Sequence, residues 1–357
     1  MEIIKVILLS LSLALILGIV ESFEFDEEEL KTEEGMQGLY DRWRNHHNVA
    51  EVSHDEKAQR FNVFKHNVQH VHMTNKMNKP YKLKLNKFAT MTNHEFTSMY
   101  ANSKIKHYQA LQGPRKRNLT FRHENADNIP PSIDWRRRNA VTPPKNQGVC
   151  GGCWAFSTVV SVEGLNAIQT GELVSLSEQQ LIDCANGVNN GCHGGLMEPA
   201  FTFLQQQGGL TTEKNYPFTF RTGTCDPAKI GKQLVTIDGF EDVPELNEEA
   251  LMKAVANQPV SAAIEANGHD FQFYSTGVFT GQCGIDVNHA IAIVGYDTTP
   301  EGLKYWIVKN SWGPFWGEDG YIRLQRGVPE PMGLCGINVL PSYPVKSSNN
   351  TPINHEL

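Results

Sequence analysis

Three stretches of the chain carry different hydrophobic patterns. Near the start, Val6 to Val20 is a run of fifteen mostly apolar residues. Residues 153–164 form a second apolar run, which predicts a buried helix. After Leu234 the apolar runs are short, which is typical of β-strands. The pattern therefore predicts helices ahead of strands along the chain.

A fourth pattern has helical spacing but mixed chemistry. Its members recur every three or four residues and fall within an arc of about 100° on one helix. They are Glu56, Arg60, Phe64, Asn67, Val71 and Asn75. An ordinary amphipathic helix is the alternative, but charges, an aromatic ring and amides on one stripe are unusual for a core face. We predict a single helix over this segment.

The first apolar run predicts a secretory signal peptide over residues 1–22. Lys5 precedes it, and Val20-Glu21-Ser22 supplies small or short residues at the −3 and −1 positions for cleavage near Ser22. No apolar run reaches the roughly 18 residues that a membrane-spanning helix needs. A buried N-terminal helix is the alternative. Entry into the secretory pathway permits disulfides.

Residues 147–157 point to nucleophilic chemistry. After the Pro143-Pro144 breaker, a glycine-rich turn leads to Cys153, the first residue of the predicted buried helix. A thiol at a helix N-terminus lies where unpaired N–H groups and the helix dipole stabilise the reactive thiolate. An ordinary buried cysteine is the alternative for this segment taken alone.

Two apolar runs near the end of the chain predict a β-hairpin. His289 opens the run 290–296, Asn310 closes the run 305–309, and residues 298–302 are predicted to form the turn. A turn centred between Thr299 and Pro300 places His289 directly opposite Asn310, with Cβ atoms about 5 Å apart. An amide there accepts the imidazole N–H and leaves the other ring nitrogen for the thiol. A strand-end histidine without function is the alternative.

The seven cysteines all lie after residue 149. They are Cys150, Cys153, Cys184, Cys192, Cys225, Cys283 and Cys335. Six of them can pair in fifteen ways, so counting leaves the pairing open and requires one unpaired thiol. Cys150 and Cys153 are spaced as in a zinc ribbon, but no second Cys-x-x-Cys or His-x-x-x-His follows at ribbon spacing. We expect no metal and no cofactor.

The net charge of −7 conceals an asymmetry. Residues 1–127 hold 18 basic and 16 acidic side chains, a balance of +2, whereas residues 128–357 hold 14 and 23, a balance of −9. The acidic larger part argues against nucleic-acid binding. Two halves of opposite sign are expected to attract each other.

One set of motifs resembles the active site of papain-like cysteine proteases. Its members are Cys150-Gly151-Gly152-Cys153-Trp154, His289 and Asn310-Ser311-Trp312-Gly313. Gly152 stands where Ser or Ala is usual, so we expect a looser turn and slower turnover. The resemblance covers most of residues 128–346 and implies a cysteine endopeptidase. A papain-fold acyltransferase or ligase and an inactive homologue are the alternatives.

By this resemblance a small group of side chains performs the chemistry. Cys153 is the nucleophile, His289 is the general base and then acid, and Asn310 orients the imidazole. The amide of Gln147 donates to the oxyanion together with the backbone N–H of Cys153. Trp312 shields the bond between His289 and Asn310 from water.

The resemblance also implies an architecture. The fold is α+β and two-lobed, with a mainly helical lobe from about Pro131 to Phe240, a β-barrel-like lobe after it, and the active site between them. The implied bridges are Cys150–Cys192, Cys184–Cys225 and Cys283–Cys335, with Cys153 free. The expected segments are a signal peptide (1–22), an inhibitory propeptide (23–127), a peptidase domain (128–346) and a C-terminal tail (347–357). The mature enzyme should begin within residues 124–131.

Several positions bear on the substrate. Gly194 and Gly195 are expected to let a substrate backbone lie close, because neither has a Cβ. The positions that match the family's second specificity pocket are all apolar, and they are Met197, Ala263, Val287, Ala290 and Leu340. We therefore predict an apolar side chain at P2, the substrate residue just before P1. The alternative is that these are ordinary core residues.

The first third of the chain resembles the propeptide of papain-like proenzymes. The mixed stripe matches the propeptide helix, with Val71 where Ile is commoner. Asn86-Lys87-Phe88 matches the centre of a second propeptide motif. In that motif Lys84 replaces the usual Gly and Thr90 replaces the usual Asp, an acid to which a pH-sensing role is otherwise given.

Histidines offer a substitute for that acid. Nine of the thirteen lie before Asn128. Histidine changes charge between about pH 5 and 8, so acidification should load the segment with positive charge and loosen its packing. Replacing His66, His70 and His72 with Gln should then lower the pH of self-activation. Solvated surface histidines are the alternative.

The end of the chain bears on location. Asn354-His355-Glu356-Leu357 is similar to ER-retention tails that end Asp-Glu-Leu, with His355 in place of Asp. A frayed terminus without a signal is the alternative. Asn118 and Asn349 are glycosylation sequons in segments that we expect to be removed. The likeness to plant endopeptidases with such tails implies an ER-derived vesicle, a vacuole or the extracellular space, and a role in senescence or programmed cell death.

The expected partners follow from the same likeness. They are protein and peptide substrates, the chain's own propeptide as an intramolecular inhibitor, and cystatin-like inhibitors. We expect no nucleic-acid partner, no membrane and a monomer.

Overall fold

The computed structural model describes residues 23–50, 53–113, 121–126, 128–231 and 234–347. The predicted signal peptide, both sequons and the retention-like tail lie outside these residues. Among the helices of the described ranges, none has the length and apolar character to cross a membrane. The chain forms two compact units, one ending at Lys57 and one beginning at Ala58.

The first unit is helical. A 3-10 turn, Glu27–Leu30, leads into helix α1, Glu33–His46. The side chain of Thr32 caps α1 by accepting the backbone N–H of Gly35. Glutamates in the first turn suit the positive end of the helix dipole. Helix α2, His54–Lys76, begins in this unit and continues into the second.

The second unit contains the remaining helices and all the described strands. Its helices after α2 are α3 (Asn93–Tyr100), α4 (Ile105–Gln112), α5 (Cys153–Thr170), α6 (Glu178–Cys184), α7 (Met197–Gln207), α8 (Pro227–Ile230), α9 (Glu248–Asn257) and α10 (His269–Phe273). Short 3-10 helices, Gly191–His193 and Leu334–Gly336, lie in two of the loops.

Helix α2 is the helix that the mixed stripe predicts, and the stripe packs on the chain that follows it. Phe64 and Val71 are fully buried. Asn67 Nδ2 donates to the carbonyls of Ala89 and Met91, each at 2.9 Å. These amide bonds join the helix to a loop, which explains why polar residues stand on a buried face.

The strands form one mixed sheet. They are β1 (Tyr81–Leu83), β2 (Ile133–Asp134), β3 (Gly239–Asp242), β4 (Val260–Ile264), β5 (Tyr274–Phe279), β6 (His289–Thr298), β7 (Lys304–Lys309), β8 (Tyr321–Gln325) and β9 (Ser342–Val345). Their order is β1-β5-β8-β7-β6-β4-β9-β3, and β2 pairs with β6. The α+β class is confirmed.

Two strands lie where the sequence did not predict them. Strand β1 comes from the expected propeptide and extends the sheet by pairing with β5. Strand β2 pairs Ile133 with Tyr296 and Asp134 with Gly295. The mainly helical lobe expected from about Pro131 thus begins with a two-residue strand that belongs to the sheet.

The predicted register of the hairpin is also wrong. Strands β6 and β7 pair Thr298 with Lys304 and Ala292 with Lys309, and a register shift lies between Ile293 and Gly295. The turn is closed by a bond from Thr299 N to Leu303 O, so it sits closer to the C-terminus than predicted. Asn310 follows the end of β7 and is not directly opposite His289.

Helix α5 forms the centre of the second unit. Of its 18 residues, 14 are buried, which confirms the buried helix predicted from Cys153 onward. It ends at Gly171, whose φ of +79° is a left-handed conformation that glycine adopts without strain. It packs against β4, β6, α6, α7 and β9.

Candidate active site

Cys153 is the first residue of α5 and is buried. Its Sγ accepts the backbone N–H of Ala290 at 3.3 Å, so the residue after His289 touches the thiol. Burial raises the pKa of the Cys153 thiol, and the Ser103 side chain and nearby backbone N–H groups oppose that rise. The balance of these effects favours the protonated thiol while the site is covered.

His289 begins strand β6 and bonds to Asn310, the predicted partner, although the strand register differs from the predicted one. Its Nε2 donates to Asn310 Oδ1 at 2.8 Å, although the two residues are not paired in the ladder. Its Nδ1 has no hydrogen-bond partner among the described residues and is therefore the nitrogen left for the thiol. Burial lowers the pKa of His289 to about 4, against a smaller opposing effect of the Asn310 bond.

Trp312 covers this pair. Its ring stacks on the His289 imidazole with centroids 4.7 Å apart and planes 25° apart. Both residues are buried. This packing is consistent with the predicted shielding of the bond between His289 and Asn310 from water, which remains a prediction.

Gln147 lies on the segment before the helix and is held at both ends of its amide. Its backbone N–H donates to Ser311 O at 2.8 Å. Its Nε2 donates to Cys150 O at 2.9 Å, and its Oε1 accepts the Ser311 hydroxyl. The Oε1 contact fixes which way the amide faces, so Nε2 is the atom that meets Cys150 O, three residues before Cys153.

The disulfides lie where the family resemblance implied them. Cys150 is bonded to Cys192, Cys184 to Cys225 and Cys283 to Cys335, and Cys153 is the free cysteine. The first bridge ties the turn before the nucleophile to the loop that carries Gly194. The bridge therefore holds the turn before Cys153 and the Gly194 loop next to each other.

The expected propeptide covers the site through Ser103. Its backbone N–H donates to Asn288 O at 3.0 Å, and the residue is buried. A Cβ built on Gly194 would lie 2.1 Å from Ser103 O, and Gly194 has a φ of +117°. Only glycine fits there while a chain passes so closely. In this structure that chain is the propeptide.

Gly195 has a different reason to be glycine. A Cβ there would lie 2.5 Å from Asn189 Oδ1 and 3.0 Å from the Trp154 ring, both inside the protein. The absence of a side chain at Gly195 is therefore explained by packing inside the protein. That its backbone lies close to substrate remains a prediction.

The five pocket positions lie in one buried cluster. Met197, Ala263, Val287, Ala290 and Leu340 belong to the hydrophobic cluster that also contains Cys153. Ile105 and Tyr108 from the propeptide helix α4 belong to the same cluster. With the propeptide in place, all five are buried, and an apolar propeptide side chain is part of their environment.

Sequence reasoning missed three contributors to this site. Ser311 stands next to Asn310 in a recognised motif, so its adjacency was an available signal. The Ala290 N–H is a backbone group, and only the fold reveals its contact with the thiol. Ser103 carries no sequence signal, because nothing in its neighbourhood distinguishes it from an ordinary loop serine.

Comparison with known proteins places these residues in a family context. A model described as "Papain family cysteine protease" matches residues 129–345. A second, described as "Cathepsin propeptide inhibitor domain (I29)", matches residues 40–96. The two matches correspond to the part of the chain with the site and to part of the segment that precedes it.

Similar proteins include plant endopeptidases. Vignain of Ricinus communis is 61% identical over 348 residues, which cover 98% of this chain and 96% of that protein. The "KDEL-tailed cysteine endopeptidase CEP2" of Arabidopsis thaliana is 55% identical over 350 residues, with coverage of 98% and 96%.

Solved proforms have the same fold. The proform of the ragweed pollen cysteine protease Amb a 11 superposes with a TM-score of 0.87 at 54% identity, and covers 92% of this chain and 99% of that chain. The recombinant stem bromelain precursor gives 0.80 at 40% identity, with coverage of 88% and 99%.

Proposed function

Since this chain belongs to the papain family of cysteine proteases, we propose that it hydrolyses peptide bonds through an acyl-thioester on Cys153. It is a cysteine endopeptidase that carries an inhibitory propeptide domain in the same chain. The observation that supports the proposed chemistry is the contact of the Cys153 thiol with the residue beside His289, at the start of a helix.

The proposed reaction assigns one role to each side chain. His289 Nδ1 takes the thiol proton while sulfur attacks the carbonyl carbon, and the imidazolium then protonates the leaving amine as the C–N bond breaks. Water, deprotonated by the same nitrogen, attacks the thioester and releases the acid and the thiol. Asn310 holds the imidazole ring through Nε2 during both the formation and the hydrolysis of the thioester.

The oxyanion would be stabilised by two donors. One is the backbone N–H of Cys153, at the open end of α5, and the other is Nε2 of Gln147. In the free enzyme, Nε2 would turn from Cys150 O to the developing charge. A donor of this kind contributes roughly 3 kcal/mol of transition-state stabilisation.

The propeptide would inhibit by occupying the cleft. Ser103 lies against Gly194 and the thiol, and Ile105 lies in the apolar cluster. Cleavage at a site within residues 124–131 would remove this segment and uncover the Cys153 thiol and the apolar cluster. Protein and peptide substrates would then bind where the propeptide lies, and cystatin-like inhibitors would compete with them.

Acid activation tests the proposed chemistry. Purified proenzyme held at about pH 5 with reductant should lose its pro-segment and then hydrolyse a Phe-Arg-coumarin substrate. The Cys153→Ala proenzyme should do neither. Mass spectrometry of a cleaved peptide should show a new free carboxylate, whereas transfer to an added amine as the main product would favour an acyltransferase. Turnover that persists in Cys153→Ala would exclude this nucleophile.

The apolar pocket predicts the preference at P2. Because none of its five side chains carries a charge, an arginine at P2 would be buried without a partner. The value of kcat/KM for Phe-Arg substrates should therefore exceed that for Arg-Arg substrates by at least about tenfold. As a matched control, Leu340→Glu should narrow the ratio by improving the Arg-Arg substrate. Equal rates on both substrates in the unaltered enzyme would refute the preference.

The relatives support a proposal about the setting. We place the enzyme in the secretory pathway of a plant cell, in an ER-derived vesicle, a vacuole or the extracellular space, where it would degrade protein during senescence or programmed cell death. The name of the KDEL-tailed relative and the chain's three disulfides support a secretory-pathway location.

A further inference from the structure

One carboxylate of the peptidase domain receives three side chains of the propeptide. His70 Nε2 lies 2.8 Å from Asp270 Oδ1. Lys79 Nζ and the Tyr81 hydroxyl both donate to Asp270 Oδ2, at 2.8 Å and 2.5 Å. Asp270 lies on the short helix α10, so this contact fastens the end of α2 and the start of β1 to the peptidase domain.

His269, the residue before that carboxylate, contacts the propeptide as well. Its ring stacks on that of His70 with centroids 3.9 Å apart, and His66 lies parallel to it at 6.1 Å. Its Nε2 lies 3.0 Å from Asn67 Oδ1. Because Asn67 Nδ2 already donates to two carbonyls, its Oδ1 must accept here, and the proton of His269 sits on Nε2.

We propose that His269 is an acid-operated latch for the propeptide, which opens when its ring takes a second proton. This proposal rests on the proposed inhibitory role of the propeptide. A proton on Nδ1 of His269 places a positive charge on a ring whose centroid lies 3.9 Å from that of His70 and 6.1 Å from that of His66. The neighbouring carboxylate, Asp270, is already paired with Lys79. The resulting repulsion acts directly on α2 and β1.

The groups around His269 make the propeptide contact weaker, and not stronger, when the pH falls. Burial, followed by the proximity of His70 and His66, lowers the pKa of His269 to about 4, while Asp270 opposes the change. In the released state the pKa returns toward its ordinary value of about 6.5, so that state binds the proton more tightly. The inhibitory contact therefore weakens as the pH falls from about 6.5 toward 4.

Asp270 is not the group that senses acid. Its contacts with His70, Lys79 and Tyr81 hold the pKa of its carboxyl well below the ordinary range despite its burial, so it stays ionised throughout this window. Partial exposure of His269 screens the effect, and we expect a weakening on the order of tenfold at about pH 5. The sequence pointed to propeptide histidines, but the decisive ring belongs to the peptidase domain.

The test measures opening of the latch without using the enzyme's activity. In the full-length Cys153→Ala proenzyme, hydrogen exchange of residues 67–83, corrected for the intrinsic pH dependence, should speed up about tenfold between about pH 7 and 5. His269→Gln in the same background keeps a donor for Asn67 but has no titrating ring. Its exchange should change by less than about twofold. His94→Gln, an exposed histidine on α3, is the matched control and should behave like the parent.

In the catalytic background, His269→Gln should lower the midpoint pH of self-activation by about one unit and leave turnover by the mature enzyme unchanged. If His269→Gln already speeds exchange of residues 67–83 at neutral pH, His70→Gln is used as the test variant instead. Exchange in that variant should likewise change little between about pH 7 and 5. An acid response as large as the parent's in both variants would overturn the latch. Hydrogen exchange does not depend on catalysis. If the exchange shows the predicted acid response but the mature enzyme does not hydrolyse peptides, the proposed function is rejected and the latch is not.

Discussion

In the proenzyme, Cys153 and His289 are sealed from water, with exposures of 1% and 0%. The same burial raises the pKa of the thiol and lowers that of the imidazole. Both shifts favour the neutral forms, a thiol and an imidazole. In the proposed mechanism the proton moves from Cys153 to His289, so the low-polarity surroundings in this covered state disfavour that charge separation.

Ser311 is the residue whose role is most open to test. Its hydroxyl donates to Gln147 Oε1 and so sets the direction of the amide that we propose as an oxyanion donor. Ser311→Ala should lower kcat/KM of the mature enzyme about fivefold to tenfold, mostly through kcat, because Ser311 has no expected contact with substrate. Gln147→Ala should cost more, on the order of 100-fold.

The double variant separates positioning from a general loss of structure. If Ser311 acts only through Gln147, then Ser311→Ala should have little further effect once Gln147 is Ala. Steady-state kinetics of the four enzymes give this coupling directly. Losses that simply multiply would show that Ser311 acts by another route.

Gly152 has a packing reason that the motif comparison did not reveal. A Cβ there would lie 2.9 Å from Ile182 Cδ1 and 3.2 Å from Cys150 Sγ. Its φ of −87° is open to any residue, so the backbone itself does not require glycine. The neighbouring Ile182 side chain leaves little room for a larger residue in the present packing, and slower turnover remains a prediction.

Among the elements, helices were predictable because their pattern is local. The stripe on α2 and the apolar run of α5 each lie within one segment, so spacing alone was sufficient. The hairpin failed because its register depends on the length of the turn around Pro300 and on the irregularity near Val294. Two such local shifts moved the pairing, although His289 and Asn310 still met through the reach of their side chains.

Contacts between distant elements had no local signal. Strand β1 is only three residues long and is defined by its pairing with β5, far along the chain. The same holds for His70 and His269, whose stacking depends on how α2 packs on α10. Cys153, His289 and Asn310 could be singled out from the sequence because they stand in a family motif, and their catalytic roles remain a proposal. Their protonation states could not, since burial decides them.

Across the whole molecule, the opposite charges of its two parts appear as specific pairs. Among the described residues, lysines and arginines before 128 pair with acidic residues of the peptidase domain in Lys79–Asp270, Lys106–Asp286 and Arg122–Glu241. These pairs have the sense that the charge asymmetry predicts, with the positive charge before residue 128 and the negative charge after it. Lys106 and Asp286 are mostly exposed, so each such pair contributes at most about 1 kcal/mol.

Salt should therefore loosen the propeptide, but only moderately. Raising NaCl from about 50 mM to about 500 mM shortens the screening length to a few ångströms and weakens the exposed pairs first. At a fixed pH of about 5.5, the initial rate of self-activation should rise about twofold to fivefold. The rate is followed by the disappearance of the full-length band.

The control for that experiment is the turnover rate of the mature enzyme, measured at the same two salt concentrations. Dividing the self-activation rates by these rates corrects for any direct effect of salt on catalysis. Lys106→Gln should reproduce part of the increase at low salt and reduce the response to added salt, since it deletes one of the screened pairs. The buried contacts of Asn67 are not ionic and should persist at high salt, so the increase must remain limited. A rate unchanged or slowed by salt would mean that charge attraction between the two parts does not help hold the propeptide in place.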